Sequence, residues 1–321
     1  MKVLVTGARG LLGSAVAREI ISRGHECVVV QRQPSGVVGA IEYLDDLTNP
    51  LEADSWIRGV DAVIHLAAKV GVTGSEQDFF RINVEATSNL IALARENGVR
   101  NFVFASSPSV AHSGRPLVGV GAQPADPHHA RGYYSQTKGW AEQAVLAANS
   151  PDFVTVALRP HLVWGPGDTQ LIGRIVDRAR SHRLFLIAGG QALIDSCYVD
   201  NAATAFAQAV ERAALAAGKV LMVSNGEPRK VKEILERICI AAKAPLPTRS
   251  VPRSLAMLAG SGIERVWGNR DSDPPLTSFL VEQLSTAHWF DISETQKILD
   301  WYPTISLDQG FEILARSYLQ N

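Results

Sequence analysis

The chain has 321 residues, of which 46% are hydrophobic and 20% charged, and its formal net charge is −1. That length suits a large α/β domain with an appended lobe rather than one simple core, and the balanced charge excludes broad attraction to nucleic acid or to an anionic membrane surface. Cys27, Cys197 and Cys239 are odd in number and far apart, so they suggest neither a disulfide framework nor a zinc site and read as reduced, buried thiols of a cytoplasmic protein.

Met1-Lys2-Val3-Leu4-Val5-Thr6 opens the chain as a strand rather than as a secretion signal. No apolar run reaches the roughly 18 residues of a membrane span. Strand patterns rich in Val, Ile and Phe fall at Lys2–Thr6, Glu26–Gln31, Asp61–Leu66, Asn101–Ala105 and Phe153–Leu158. Helix-spaced apolar residues fill Leu11–Arg23, Phe79–Asn97 and Tyr133–Ala148 between them. Strands covered on both faces are nearly continuous in apolar character, as these are. The expected fold is therefore α/β, a Rossmann-type doubly wound parallel sheet with a smaller C-terminal substrate lobe.

Residues 1–165 are expected to form the dinucleotide-binding domain, with contributions from about 195–225, and 166–321 mainly the lobe. Helical patterns at Asp200–Ala216 and Lys230–Ala244 flank a strand pattern at Lys219–Ser224, and a Pro- and Arg-containing loop runs from Pro245 to Arg253. Ser293-Glu294-Thr295-Gln296 and Ser306-Leu307-Asp308-Gln309 match capping boxes at two late helix starts. Leu255–Trp267 is apolar and reads either as an amphipathic helix packed on its own protein or as a lid or lipid-docking surface.

Gly7, Gly10 and Gly13 follow a strand and open a helix, the context a phosphate-cradling turn requires. Gly7, Ala8, Arg9, Gly10, Leu11, Leu12 and Gly13 are thus candidate cofactor residues. The second strand ends Val29-Val30-Gln31-Arg32 without the carboxylate that holds a ribose 2′-hydroxyl. Arg32 and Arg9 are instead placed to meet a 2′-phosphate, so NADP(H) is favoured over NAD(H). Asp46 and Leu47 are candidates for the adenine end. Leu66, Ala67 and Ala68 end a strand with small residues that allow the cofactor close.

Tyr134 and Lys138 are one helical turn apart and share a face. A neighbouring ammonium is expected to lower the phenol's pKa from about 10. Ser107, at the end of the Asn101–Ala105 strand, is the candidate donor to the substrate oxygen, and Tyr133 is in the wrong register for Lys138. Pro160 and His161 follow the next strand to the cofactor. His65 reads as a satisfied core histidine, and His128-His129 as a loop rather than a metal site.

These residues resemble the extended short-chain dehydrogenase/reductase family nearly end to end. The resemblance is carried by His65-Leu66-Ala67-Ala68, Asn83-Val84, Ser106-Ser107, Tyr134 to Lys138, and Leu158-Arg159-Pro160-His161-Leu162-Val163-Trp164-Gly165-Pro166-Gly167-Asp168. It implies that Ser107, Tyr134 and Lys138 are catalytic, that Asn83 supports the active-site strand, and that Ser106 and Val163 join the cofactor residues. Ser106-Ser107-Pro108-Ser109-Val110, Tyr198-Val199-Asp200-Asn201, Ser224-Asn225-Gly226-Glu227-Pro228 and Thr286-Ala287-His288-Trp289-Phe290-Asp291-Ile292-Ser293 are similar to the 3β-hydroxysteroid dehydrogenase branch, and within it to bacterial 2-alkyl-3-oxoalkanoate reductases. Gly189–Asp195 fits the family's usual loop only loosely.

The expected function is reduction of a keto group, or the reverse oxidation, on a bulky, lipid-like substrate. The branch implies a homodimer through the helix after Asn83 and the helix containing Tyr134. Two alternatives share the scaffold. One is a nucleotide-sugar epimerase or dehydratase, although Pro108-Ser109 stands where sugar dehydratases carry Asp-Glu. The other is a non-catalytic NADP(H) sensor, which would have no need of Tyr134 and Lys138.

Overall fold

The computed structural model describes residues 1–71, 74–111, 114–267 and 274–320. The nucleotide half is built, in chain order, from β1 (Lys2–Thr6), α1 (Leu11–Ser22), β2 (Glu26–Gln31), β3 (Ile41–Leu44), β4 (Ala62–His65), α2 (Ala86–Glu96), β5 (Asn101–Ala105), α3 (Gly132–Ala147), β6 (Val154–Pro160), α4 (Val199–Glu211) and β7 (Val220–Val223). The strands form one parallel sheet in the spatial order β7-β6-β5-β4-β1-β2-β3. The winding direction reverses between β1 and β4, which opens a crevice at their carboxyl ends where such sheets bind ligands.

The two-residue side-chain period of each strand sorts the core. Val3, Val5 and Val29 pack in one cluster with Val16 and Ile20 of α1 and Phe206 of α4. Leu4, Val28 and Val63 pack in the other with Leu90 of α2 and Ala141 and Val145 of α3.

The expected single helix over Phe79–Asn97 is three pieces: Glu76–Phe80, a wide π turn at Arg81–Glu85, and α2. Such turns disturb the hydrogen-bond ladder locally and often mark functional positions. Here the turn carries the buried Asn83.

A smaller sheet pairs Arg229–Lys230, Leu193–Ile194, His288–Phe290 and Leu117–Val120 in that order. Leu117–Val120 is drawn from the first half of the chain, so the two sheets exchange segments. The Ser306 capping box forms as expected: Gln309 N donates to Ser306 Oγ (3.2 Å) and Ser306 N to Gln309 Oε1 (2.8 Å). At Ser293 the cap is different, because Asp291 Oδ1 accepts from Ser293 N at 2.8 Å.

Helix Arg253–Trp267 buries Ala256 and Gly260 against Ser278–Ser285 and leaves Leu255, Leu258 and Val266 exposed. No helix among the described residues is long and apolar enough to cross a membrane.

Candidate active site

The glycine turn joins β1 to α1 and lies hard against the end of β4. A Cβ on Gly13 would sit 2.2 Å from Gly7 O, and one on Gly7, whose φ is +75°, 2.8 Å from Ala67 N. Only glycine lets these segments approach so closely. Thr6 Oγ1 accepts from Leu66 N and Ala67 N, both at 3.1 Å, which fixes the two strand ends together. Ala8 is buried, Arg9 and Gly10 are exposed, and Leu11 and Leu12 pack partly onto the core. These residues leave a cradle of bare backbone at a helix start, which fits a pyrophosphate.

A chain of hydrogen bonds runs from the turn into the core. Thr6 Oγ1 meets His65 Nδ1 at 2.8 Å, His65 Nε2 meets Thr87 Oγ1 at 3.0 Å, and Thr87 donates to Asn83 O at 2.7 Å. Burial, with the nearby Lys138, pushes His65 down to about 3, so the ring is neutral and both nitrogens are satisfied. Asn83 Oδ1 accepts from Lys69 N (2.7 Å), and Asn83 Nδ2 donates to Lys69 O (3.0 Å) and to Thr137 Oγ1 (3.0 Å). Asn83 thus ties the segment after β4 to the helix that carries Tyr134 and Lys138.

Tyr134 and Ser107 border one cavity of about 300 Å³, together with Ser109, Pro160, His161 and an apolar wall that includes Ile175, Ile234, Leu235, Ile238 and Leu284. Ser107 Oγ lies 2.9 Å from Ser109 Oγ and accepts from Ser109 N at 3.2 Å. The expected acidification of Tyr134 is not what the structure shows. Burial pushes the phenol up from its ordinary value, and a hydrogen bond with Ser107 pulls it partly back. The Lys138 ammonium sits 3.9 Å from the Phe104 ring centroid. Its own pKa is pushed down to about 7 by burial, opposed by Glu142 one turn on. Tyr133, as expected, is directed elsewhere, with its ring 6.2 Å from that of Phe79.

The remaining candidates divide. Ser106 is buried, and its Oγ has no hydrogen-bond partner among the described residues. An unsatisfied hydroxyl at this strand end suits a polar ligand. Asp46 accepts locally from Thr48 N (2.9 Å) and Thr48 Oγ1 (2.8 Å), and Leu47 packs toward the core cluster of Trp56 and Leu90. Val163 pairs with Cys197 in a two-stranded ladder, and Ala68 is half-buried beyond β4.

Several members escaped the sequence reading. Thr137, Glu142 and Asp195 carry no motif of their own, and Ser109 reads only as part of the branch motif. Asp195 lies in the stretch that fits the family pattern loosely, yet it is fully buried and contacts His161 Nδ1. Glu42 lies on β3 and reaches the end of β2 from the side. Its Oε1 accepts from Ser35 Oγ (2.6 Å), Ser35 N (2.7 Å) and Gln31 Nε2 (2.8 Å). The Ser35 hydroxyl, foremost among these donors, holds Glu42 below the usual carboxylate range.

The model of the NAD dependent epimerase/dehydratase family matches residues 3–224. The chain is 38% identical over 327 residues to the 2-alkyl-3-oxoalkanoate reductase of Stenotrophomonas maltophilia (strain K279a), covering 99% of each. It is 32% identical over 329 residues to the 2-alkyl-3-oxoalkanoate reductase of Shewanella oneidensis, covering 98% of this chain and 85% of that one. Among solved structures, MoeE5 in complex with UDP-glucose and NAD superposes with a TM-score of 0.77 at 23% identity, covering 100% of this chain and 99% of that one. That likeness speaks for the fold.

The expected preference for NADP(H) is corrected to NAD(H). The matching family is described as NAD dependent. The end of β2 gives the physical reason. It presents the Glu42 carboxylate and the buried Gln31 Oε1, which has no partner among the described residues. Acceptors of this kind suit ribose hydroxyls and disfavour a 2′-phosphate.

Proposed function

The chain belongs to the NAD dependent epimerase/dehydratase family, as an oxidoreductase of the extended short-chain dehydrogenase/reductase type acting on a bulky substrate, and from that premise we propose that it interconverts a 2-alkyl-3-oxoalkanoate and its 3-hydroxy acid using NAD(H). The observation that carries this reading is the cavity: the hydroxyls of Tyr134 and Ser107, with those of Ser109 and Ser196, at the border of a space otherwise walled mainly by aliphatic and aromatic side chains. A long alkyl chain gains about 0.8 kcal/mol per buried methylene in such a space. The end-to-end similarity to two reductases of this substrate class supports the assignment.

In this reading the turn from Gly7 to Gly13 receives the pyrophosphate on backbone N–H groups, and Gln31 and Glu42 take the adenine ribose hydroxyls. The backbone of Leu66, Ala67 and Ala68 lines the dinucleotide, and Ser106, Pro160 and Val163 border its nicotinamide end. Bound NADH supplies the hydride. Tyr134 Oη delivers a proton to the substrate oxygen as negative charge develops there, and Ser107 Oγ donates a hydrogen bond to the same atom. The raised phenol pKa keeps Tyr134 protonated near neutrality, the form that reduction consumes. Lys138, one helical turn after Tyr134, is assigned to hold the nicotinamide ribose. Asn83 is a positioning residue that fixes the start of α3 through Thr137.

The apolar lining also fits a ketosteroid. A homodimer through α2 and α3 is consistent with Phe80 and Tyr133, large side chains exposed beside that face. Three free thiols suit a cytoplasmic location.

A second reading, a nucleotide-sugar epimerase, is favoured by the family description and by the fold of MoeE5. Against it, the described residues of the cavity lining include no arginine or lysine to meet a second diphosphate. Absorbance of the nicotinamide, followed with 2-alkyl-3-hydroxyalkanoates, 3-hydroxysteroids and UDP-sugars, separates these readings. The hydroxy acids are expected to give a kcat/KM at least about ten-fold above the rest, equivalent to about 1.4 kcal/mol of transition-state preference. Turnover or epimerisation confined to UDP-sugars would reverse the assignment.

A further inference from the structure

We propose that His161, held by Asp195, is the carboxylate-recognising group of this cavity. The proposal rests on the oxoalkanoate reading above and deepens it. A 3-oxo acid brings a carboxylate two bonds from the reacting carbon, and an unpaired carboxylate in an apolar cavity is strongly disfavoured. Among the described residues the lining holds no arginine or lysine. The side chains there able to carry positive charge are His161 and His288.

His161 has the right place. Ala105 pairs with Leu158 in the sheet, so the neighbouring strands leave together toward Ser107 on one side and Pro160-His161 on the other. Adjacent strands run about 4.8 Å apart, and the residues that follow them, Ser107 and His161, line the same cavity. That spacing matches the short separation between a carboxylate and a β-carbonyl. The aliphatic wall beyond them is left for the alkyl chains.

His161 also has the right electrostatics. Asp195, 0% exposed, meets His161 Nδ1 and accepts from Ser224 Oγ (2.8 Å) and Phe290 N (3.0 Å). Three donors converge on this carboxylate, and the contact fixes the imidazole with Nδ1 directed at Asp195. Nε2 is then the nitrogen offered to the cavity, and it donates when the ring is imidazolium. The rings of His288 and Phe290 stand edge-on to His161 at centroid distances of 5.0 and 5.1 Å and hold its plane. His288 Nδ1 is engaged by Thr286 O at 2.8 Å.

The experiment compares the holoenzyme with His161→Gln and His161→Asn on a 2-alkyl-3-hydroxy acid and on its methyl ester. The ratio of kcat/KM for acid over ester is expected to fall at least about ten-fold, the weight of a hydrogen bond to a charged group. Asp195→Asn is expected to lower the same ratio. Equal losses on acid and ester in all three variants would overturn the proposal and leave a structural His–Asp pair. Calorimetric titration with decanoate and with decanol gives a readout independent of turnover. Decanoate is expected to lose at least about ten-fold more affinity than decanol in His161→Gln, and equal changes would overturn the proposal. If no substrate is turned over while decanoate binding depends on His161 as stated, the reductase reading fails and the carboxylate site stands.

Discussion

Replacing Tyr134 with Phe lowers kcat by roughly 10²- to 10⁴-fold, the range for loss of a positioned general acid, while the Kd for NADH stays close to that of the unaltered enzyme. The substitution removes one oxygen and keeps the ring that packs in α3. Tyr134 and Ser107 share the cavity border. Without the phenol, Ser107 still donates to the substrate oxygen but no group delivers the proton. The proposed dinucleotide cradle, from Gly7 to Gly13 and Leu66 to Ala68, belongs to other elements and is untouched. Stopped-flow hydride transfer together with NADH fluorescence titration measures both quantities. Unchanged hydride transfer would remove Tyr134 from the chemistry, and loss of NADH binding in step with kcat would make it a cofactor residue only.

Glu142→Ala destabilises the fold by about 3–5 kcal/mol, the cost of stranding a buried charge. Glu142 of α3 and Arg159 of β6 are each 1% exposed. Arg159 Nε donates to Glu142 Oε2 at 2.8 Å, Arg159 Nη2 to Glu142 Oε1 at 2.6 Å, and Arg159 Nη1 to Gln123 O at 2.6 Å. The pair therefore fastens the helix of Tyr134 and Lys138 to the strand that ends in Pro160-His161. Removing the carboxylate leaves a guanidinium in a dry interior with one acceptor. Replacing both residues with methionine is expected to cost far less, because the desolvation of two charges is relieved together. Urea unfolding of the three proteins gives the comparison. A loss below about 1 kcal/mol for Glu142→Ala, the range of surface pairs, would show that water or another donor reaches the site.

Much of this arrangement was legible because it is local in sequence. The glycine turn follows its strand within a few residues, and Tyr134 and Lys138 lie on one helical turn, so spacing alone places them. The Val-rich strands announce the parallel sheet through their continuous apolar character. What spacing could not reach depends on register between distant segments. Glu42 supplies a carboxylate at the end of β2 from the neighbouring strand, which is why the chain around Arg32 suggested the wrong dinucleotide. Leu117–Val120 pairs with His288–Phe290 from the far end of the chain. Asp195 finds His161 across 34 residues. The direction of the Tyr134 shift was likewise beyond sequence, since it depends on how far burial outweighs the hydrogen bond from Ser107, and Lys138 turns its charge to the Phe104 ring. The π turn at Asn83 reads as ordinary helix by periodicity and is recognisable only once the Lys69 and Thr137 contacts are seen.

A crystal structure of the enzyme with NADH and a 2-alkyl-3-hydroxyalkanoate, a pair that cannot react, measures the essential geometry. The hydroxyl oxygen is predicted to lie within about 3 Å of both Tyr134 Oη and Ser107 Oγ, with the alkyl chains against Ile234, Leu235 and Ile238. A ligand oxygen bound away from both hydroxyls, with Tyr134 directed out of the cavity, would contradict it.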